Sequence, residues 1–597
     1  MPAKVQPYIL RKLLGRNGST KENIKDGEFQ KLQNWYAKNG VLKRRKGISA
    51  VSSIANASTL TGTAAVFLPG GTGYKVIVGL SDGIGALSGQ EVGDIATSLT
   101  ITDNTSALWQ LKQYKSSMYC LREDIGSLYR SDGNIMAATG ISAPTAALTA
   151  AEGAAGALAA GAYEIVYTFY NSTTGAESNP SPAATVTIAA SKKINYSVIG
   201  TSTNGQVNAR KIYRSLVGQT DEWFHVVTIL DNNTTTYTGD NVELADMGLP
   251  AENTNGLPPD GDFFEIHQER LWLTDQVLLY FSEVGLPESF AATSSLNVRS
   301  DDGYLIKGLK SFGEVLLVFK QNATYYLAGS DEQSFSLRTL HDKSGCVASH
   351  SLAVAEGFCF WFGGDNFYLT DGNRVNAIGN PEVTDLIQGI AAADYDIMQA
   401  DVYGKDGWYI CGIPSGGVIT SWVAYNYRTG EWHTMTFDST LGTPQWIQTL
   451  PTSSGEPVLY CNLSASAQKG LLREILDPDA TSDLGKNIAC SLLTKNYGFE
   501  KEDSMKFLKD LQVLVSSTSV AENVTFTLYR DDDATSEATE SITTYGGKTW
   551  KRVPLSNNGT PGVFMAVGID YSGDADFDIA GLAFKIVDLG RQVPLAE

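Results

Sequence analysis

The chain has 597 residues, with 45 Lys and Arg against 65 Asp and Glu, a formal charge of −20, and 43% hydrophobic and 10% aromatic residues. That length outgrows a single hydrophobic core, so three or four domains are expected. The acidic balance excludes an ordinary DNA-binding protein, because phosphate contact needs Lys and Arg, and no run of 18 strongly apolar residues offers a membrane-spanning helix.

Residues 1–50 reverse the charge. They hold 12 Lys and Arg against 3 Asp and Glu, a local +9, so the other 547 residues carry 33 against 62, or −29. The opening MPAKVQPYILRKLLGR lacks an apolar h-region and a small-residue cleavage site, so no secretory signal is expected and cytosolic synthesis is the default. Asp26 as a cap, Phe29, Leu32 and Tyr36 at helical spacing, and Gly40 as a terminator predict one helix in a basic arm. Lys43-Arg44-Arg45-Lys46 follows. It reads either as a solvated turn or as an electrostatic dock onto an acidic partner ring, which makes these four residues assembly candidates.

From 51 to 143 the pattern is strand and turn: AAVFLPGGTGYKVIVGL, LWQLKQYKSSMYCL, SLYRSDGN. Residues 143–162, APTAALTAAEGAAGALAAGA, are nearly all Ala and Gly without an amphipathic stripe, which predicts a linker or the edge of an inserted domain. Residues 144–250 read as a small β-sandwich. Strands in GAYEIVYTFY, ATVTI, ARKIYRS and WFHVVTIL are spaced by turn signals, and Pro180 and Pro182 suit a corner.

From 251 to 485 short aromatic strands ending in Gly, Asp or Asn turns recur. In FFEIHQERLWLTDQVLLYFSEVGLPESF (263–290) two apolar runs flank the corner Thr274-Asp275-Gln276; TYYLAGSD, FYLTDGNR and AYNYRTGEWH repeat the grammar. Such recurrence marks a radially repeated β architecture. Together with 51–143 it supplies about 330 residues, enough at roughly 40–45 per four-stranded blade for six to eight blades. Residues 486–597 close the chain as a second β-sandwich. The expected fold is all-β: one β-propeller interrupted by an inserted sandwich and followed by another.

No motif compels an enzymatic reading. The six cysteines (120, 346, 359, 411, 461, 490) show no CxxC and suit reduced core positions. The five histidines (225, 267, 341, 350, 433) are dispersed, without HxH or HExxH spacing, so no metal or other cofactor is expected. Gly547-Lys548-Thr549 lacks the first glycine of a P-loop, since Ile542 stands there. Asp574, Asp576 and Asp578 start like a calcium loop, but the glycine is missing and Lys585 replaces the bidentate Glu. Asp531–Asp533 reads as a solvated turn. Glu265, Glu269 and Glu283 are the carboxylates a propeller glycosidase would need near one another, yet the Ser-x-Asp-x-Gly-x-x-Trp box is absent.

The succession of segments resembles a known family. DGEFQKLQNWYAKNGVLKRRKGI (26–48), the inserted GAYEIVYTFYNSTTGAESNPSP, the hairpins RLWLTDQVLLYFSEVGLPESF and FWFGGDNFYLTDGNRVNAIGNPEV, and the closing GLAFKIVDLGRQVP are together similar to the tail nozzle (tail tubular, packaged-DNA stabilisation) proteins of short-tailed bacteriophages. The resemblance implies a non-enzymatic virion tail protein. Six copies would form a ring below the portal and its adaptor, retaining the genome and conducting it at ejection. Its implied partners are the adaptor ring, tail fibres or spikes, a tail needle or tip, double-stranded DNA in the lumen, and the host envelope without membrane insertion. Lys43, Arg44, Arg45, Lys46, Arg270 and Arg591 become assembly candidates, and the channel residues stay unassigned. A carboxylate-lined lumen would let phosphate slide past without sticking. Receptor binding and carbohydrate depolymerisation are the alternative functions.

Overall fold

Among the described residues six four-stranded antiparallel meanders follow one another, and a seventh is completed by a strand from the far end of the chain. The computed structural model describes residues 5–10, 25–67, 74–97, 99–499, 504–518, 521–531, 533–543, 547–555 and 561–589. The innermost strands of blades 1 to 7 are Leu60–Phe67, Trp109–Tyr114, Phe263–His267, Ile306–Phe312, Ala353–Ala355, Ala400–Tyr403 and Pro444–Pro451, each neighbouring the next and the last returning to the first. The outermost are Glu91–Asp94, Ile135–Ala138, Ser295–Asn297, Ser336–His341, Val375–Ala377, Glu431–Met435 and, for blade 7, Gly47–Ala50. The fold is an all-β propeller with an inserted and a C-terminal sandwich.

The disc is held by apolar seams between blades. Ile77, Ile84 and Trp109 join blades 1 and 2, and Leu121, Phe264 and Leu273 join 2 and 3. Comparable seams continue round to Leu60, Val78, Trp446 and Tyr460, which join blade 7 back to blade 1. Indoles are placed where their N–H finds the neighbouring blade: Trp109 donates to Leu80 O at 2.8 Å, Trp446 to Leu60 O at 3.1 Å and Trp422 to Pro444 O at 3.1 Å. A buried indole so satisfied supplies apolar area without an orphaned donor.

Turn chemistry explains the repeats. In SDGN the Asp132 carboxylate accepts from the N–H groups of Asn134 and Ile135 (2.8 and 2.9 Å), and in TDGNR Asp371 accepts from Asn373 and Arg374 (both 2.9 Å). The glycine between occupies left-handed backbone in both, φ 84° at Gly133 and 89° at Gly372. The run 263–273, expected as one strand, is itself a hairpin. It turns at Gln268 and Glu269, both with positive φ.

Between blades 2 and 3 lies the inserted sandwich. One sheet holds Thr149–Leu158, Lys192–Ser197 and Tyr237–Asp240; the other orders Ala184–Ile188, Gly161–Tyr170, Ala209–Arg214 and Phe224–Ile229. Ile165, Tyr167, Ile194, Tyr196 and Ile212 fill its core. The Ala/Gly stretch, read as a linker or the edge of an inserted domain, supplies that domain's first strand: half of it is Thr149–Leu158, bulged against Lys192–Ser197. Small residues serve close approach here. A Cβ on Gly156 would lie 2.5 Å from Lys193 Cγ and 2.9 Å from Lys192 C.

The helix expected over 26–40 is also corrected. The segment forms the strands Phe29–Gln33, Trp35–Lys38 and Val41–Arg44. Asn34 breaks the run with φ 59°, and Asn39 and Gly40 (56° and 77°) make the two-residue turn of a hairpin. Nor is this a separate arm. Phe29–Gln33 lies between blade 6 and Ile488–Thr494 of one C-terminal sheet, Val41–Arg44 pairs with Phe577–Asp588 of the other, and Gly47–Ala50 closes blade 7 against Arg473–Asp477. Twenty-two residues, 29–50, thus stitch the C-terminal sandwich to the propeller. Phe29, Leu32, Trp35 and Leu42 are buried in the sandwich core beside Val513, Phe577 and Leu582.

Candidate functional site

Two charged constellations stand out, a seam at the stitched segment and a cavity on the propeller axis. The seam is built from the basic tetrad. Arg45 is 1% exposed and grips Asp483 through Nη1–Oδ1 at 2.8 Å and Nη2–Oδ2 at 2.5 Å. It also donates Nε to Asn34 Oδ1 (2.9 Å) and Nη2 to Thr436 O (2.8 Å), with its plane 4.6 Å from the Phe437 ring centroid. Arg44 points the other way, donating to Gly573 O at 2.6 Å and Thr481 O at 2.7 Å. Lys43 reaches Asp578 at 3.1 Å and Lys46 reaches Asp576 at 2.8 Å. Strand alternation between Val41 and Arg44 and the reversal into Gly47–Ala50 separate these directions.

This arrangement gives the four assembly candidates partners within their own chain. Arg44 and Arg45 are buried within their own chain, and Lys43 and Lys46 meet the aspartates that resembled a calcium loop. The two flagged motifs are each other's partners. Arg270 is likewise internal, donating to Ser282 O at 2.6 Å and stacking near Phe281 and Phe335. Arg591 lies outside the described residues. Asp26, expected as a helix cap, instead pairs with Lys495 at 2.7 Å.

The axial cavity encloses about 290 Å³ and is lined from six blades, by residues 110–112, 263–264, 308–310, 349–352, 399–401 and 447–448. Lys112 Nζ lies 2.5 Å from Glu265 Oε2; burial pulls its ammonium below the usual lysine range while Glu265 opposes the shift. Burial pushes the Asp401 carboxyl up to about 6, against hydrogen bonds from the backbone of Thr449 and Val402. Burial draws the His350 imidazole down to about 4. Sequence reasoning named none of Lys112, Lys310, Gln399 or Asp401. Their shared signal is a polar side chain inside the first strand of a blade, or just before it, where the axis rather than a core receives it.

The other flagged groups are scattered. His225 contacts Thr228, His267 contacts Ser311, and His341 contacts Ser344. His433 is buried between Tyr36 and Trp408, where burial lowers it to about 3. All six cysteines are buried as free thiols, and burial pushes the pKa of each above the ordinary thiol range. Glu265 is committed to Lys112, Glu269 occupies a hairpin turn, and Glu283 follows the third strand of its blade with a carboxyl raised by burial and drawn back by Arg270. Asp531 accepts from the N–H groups of Val563 and Phe564 (2.9 and 2.8 Å). Thr549 opens the strand Thr549–Val553, not a helix. Among the described residues no three His, Cys, Asp or Glu side chains are grouped to hold a metal ion, and no helix is long and apolar enough to cross a membrane.

No protein family profile and no curated protein matches the chain. Solved structures similar to it include the AfRom2 CNH domain (10% identity, 72% of this chain and 99% of that one, TM-score 0.30). The Neurospora crassa Pan2 WD40 domain gives 11% identity over 73% and 96%, TM-score 0.24, and the extracellular domain of BT4673 from B. thetaiotaomicron gives 10% over 90% of both chains, TM-score 0.24.

Proposed function

We propose that the chain is a non-enzymatic structural protein of a short-tailed phage tail, one of six subunits of a nozzle that retains and conducts the genome. The observation that carries the reading is the order of folded units along one chain: a basic opening, a propeller split by a small sandwich, and a closing sandwich. That order supports the resemblance of the segments taken in succession. The stitched segment fits a load-bearing part, because pulling either terminal region strains hydrogen bonds in three sheets at once.

In this reading DNA does not pass through the propeller. A cavity of about 290 Å³ filled by lysine, glutamine and aspartate side chains cannot admit a duplex whose major groove alone is about 12 Å wide. The channel is the axis of the assembled ring, formed by subunits whose chain carries a formal net charge of −20. The adaptor ring, fibres or spikes, and a needle or tip are its neighbours, and the host envelope is met only at ejection.

Electron microscopy of the purified full chain tests this. Six-fold rings with an open axis at least as wide as a duplex are expected; a monomer at high concentration, or a ring without an axial opening, overturns it.

A further inference from the structure

We propose that the axial cavity of the propeller is a binding site for a small oxyanion, of the size of phosphate or a short dicarboxylate. The argument is one of unmet donors. Lys112 is satisfied by Glu265. Asp401 Oδ2 accepts from Thr449 N and from Gln448 Nε2. Lys310, half-buried on the first strand of blade 4, has no ion-pair partner among the described residues, although it faces the space between Lys112, Glu265, His350 and Asp401. Gln399 is 2% exposed, and its Nε2 meets no acceptor; Ser349 is 7% exposed, and its Oγ is likewise unmatched.

Buried donors are normally satisfied, and leaving one unpaired costs about 1–3 kcal/mol. An ammonium, a carboxamide N–H and a hydroxyl lining one cavity are complemented by a group rich in acceptor oxygens. A cation is disfavoured there by two lysines against Glu265 and an aspartate already engaged. The volume of about 290 Å³ admits a phosphate or a short dicarboxylate together with water. The wall comes from the first strands of five blades and from the short 3-10 turn before that of blade 5, locked by the seams between blades, so the site is largely preformed.

The charge balance sets a pH dependence. The groups facing Lys310 are Lys112, Glu265, His350 and Asp401. His350 stays neutral down to about pH 4, and Asp401 loses its charge below about pH 6. An anion therefore competes with fewer negative charges at pH 5.5 than at pH 7.5.

Isothermal titration of the full chain with inorganic phosphate and, separately, malonate, at ionic strength fixed with NaCl, tests the site. Saturable one-site binding by either probe is expected. Phosphate alone identifies an inorganic ligand, malonate alone an organic acid, and both the general class; each supports the proposal. Lys310→Met is expected to weaken binding at least tenfold. Gln399→Glu, nearly isosteric but negatively charged, repeats the test should the first variant fold poorly. Absence of saturable binding, or unchanged affinity in a folded variant, overturns the proposal, whatever the oligomeric state.

Discussion

Arg45 and Asp483 lie 438 positions apart and form a buried two-pronged ion pair. It joins the turn before blade 7's closing strand to the segment that leaves blade 7 for the C-terminal sandwich. Removing one partner of such a pair strands the other charge in a medium that cannot solvate it.

Asp483→Asn is therefore expected to cost about 3–5 kcal/mol in equilibrium unfolding. Arg45→Lys should recover little, because a point ammonium cannot replace the bidentate fork, the Asn34 bond and the Phe437 stack together. A loss below about 1 kcal/mol for either would show that the pair is not what holds the segment.

Lys43→Ala and Lys46→Ala should behave differently. Their ammonium groups are partly solvated, so each loss is expected below about 1 kcal/mol and should shrink further in 1 M salt. Denaturation midpoints at two salt concentrations check this. A large, salt-independent loss would move these lysines into the same class as Arg45.

His433 predicts an acid sensitivity. Its imidazole, buried against Tyr36 and Trp408, titrates near 3 in the fold and near 6.5 when unfolded. The unfolded state therefore binds the extra proton first. The contribution is complete above about pH 6.5 and is lost as pH falls toward 3, with a slope of up to about 1.4 kcal/mol per pH unit. His433→Phe should show a shallower acid slope than the native protein, measured as stability at pH 7, 5.5 and 4.5. The difference between the two proteins cancels Asp401 and the other histidines.

Gly156→Val should destabilise the inserted sandwich by roughly 1–3 kcal/mol, since the new side chain meets Lys192, Lys193 and Asn241 in a bulged strand. Limited proteolysis should then cleave within 143–250 before it cleaves the propeller.

Trp35→Ala is expected to cost about 3–5 kcal/mol. Trp35 packs against Phe577 in the C-terminal core, while its neighbour Tyr36 meets Trp408 of blade 6 edge to face. Loss of the anchor should lower the protection of both units in hydrogen exchange; protection lost in the sandwich alone would mean the stitch does not couple them.

The blades were legible because their cause is local. Asp132 and Asp371 bond to amides two and three residues on, so each turn is written within a handful of positions, and the alternating aromatics on either side state which face is buried. The 29–50 segment was misjudged although its signal was present. Asn39-Gly40 is a hairpin dipeptide, but Phe29, Leu32 and Tyr36 also satisfy a helical period, and a short segment supports both readings until its partners are known. The axial residues carried no such signal, since a lysine inside a strand reads as solvent-facing unless the closed ring is known.

Local hydrogen-bonding and side-chain alternation thus settled from the chain alone that this is a protein of many aromatic hairpins with an interruption after the first few. What those hairpins enclose, and where the basic tetrad goes, depended on contacts such as Lys46 with Asp576, 530 positions away. Complementary charges so distant in the chain have no preferred pairing until the backbone closes the circle and brings one set of them within reach.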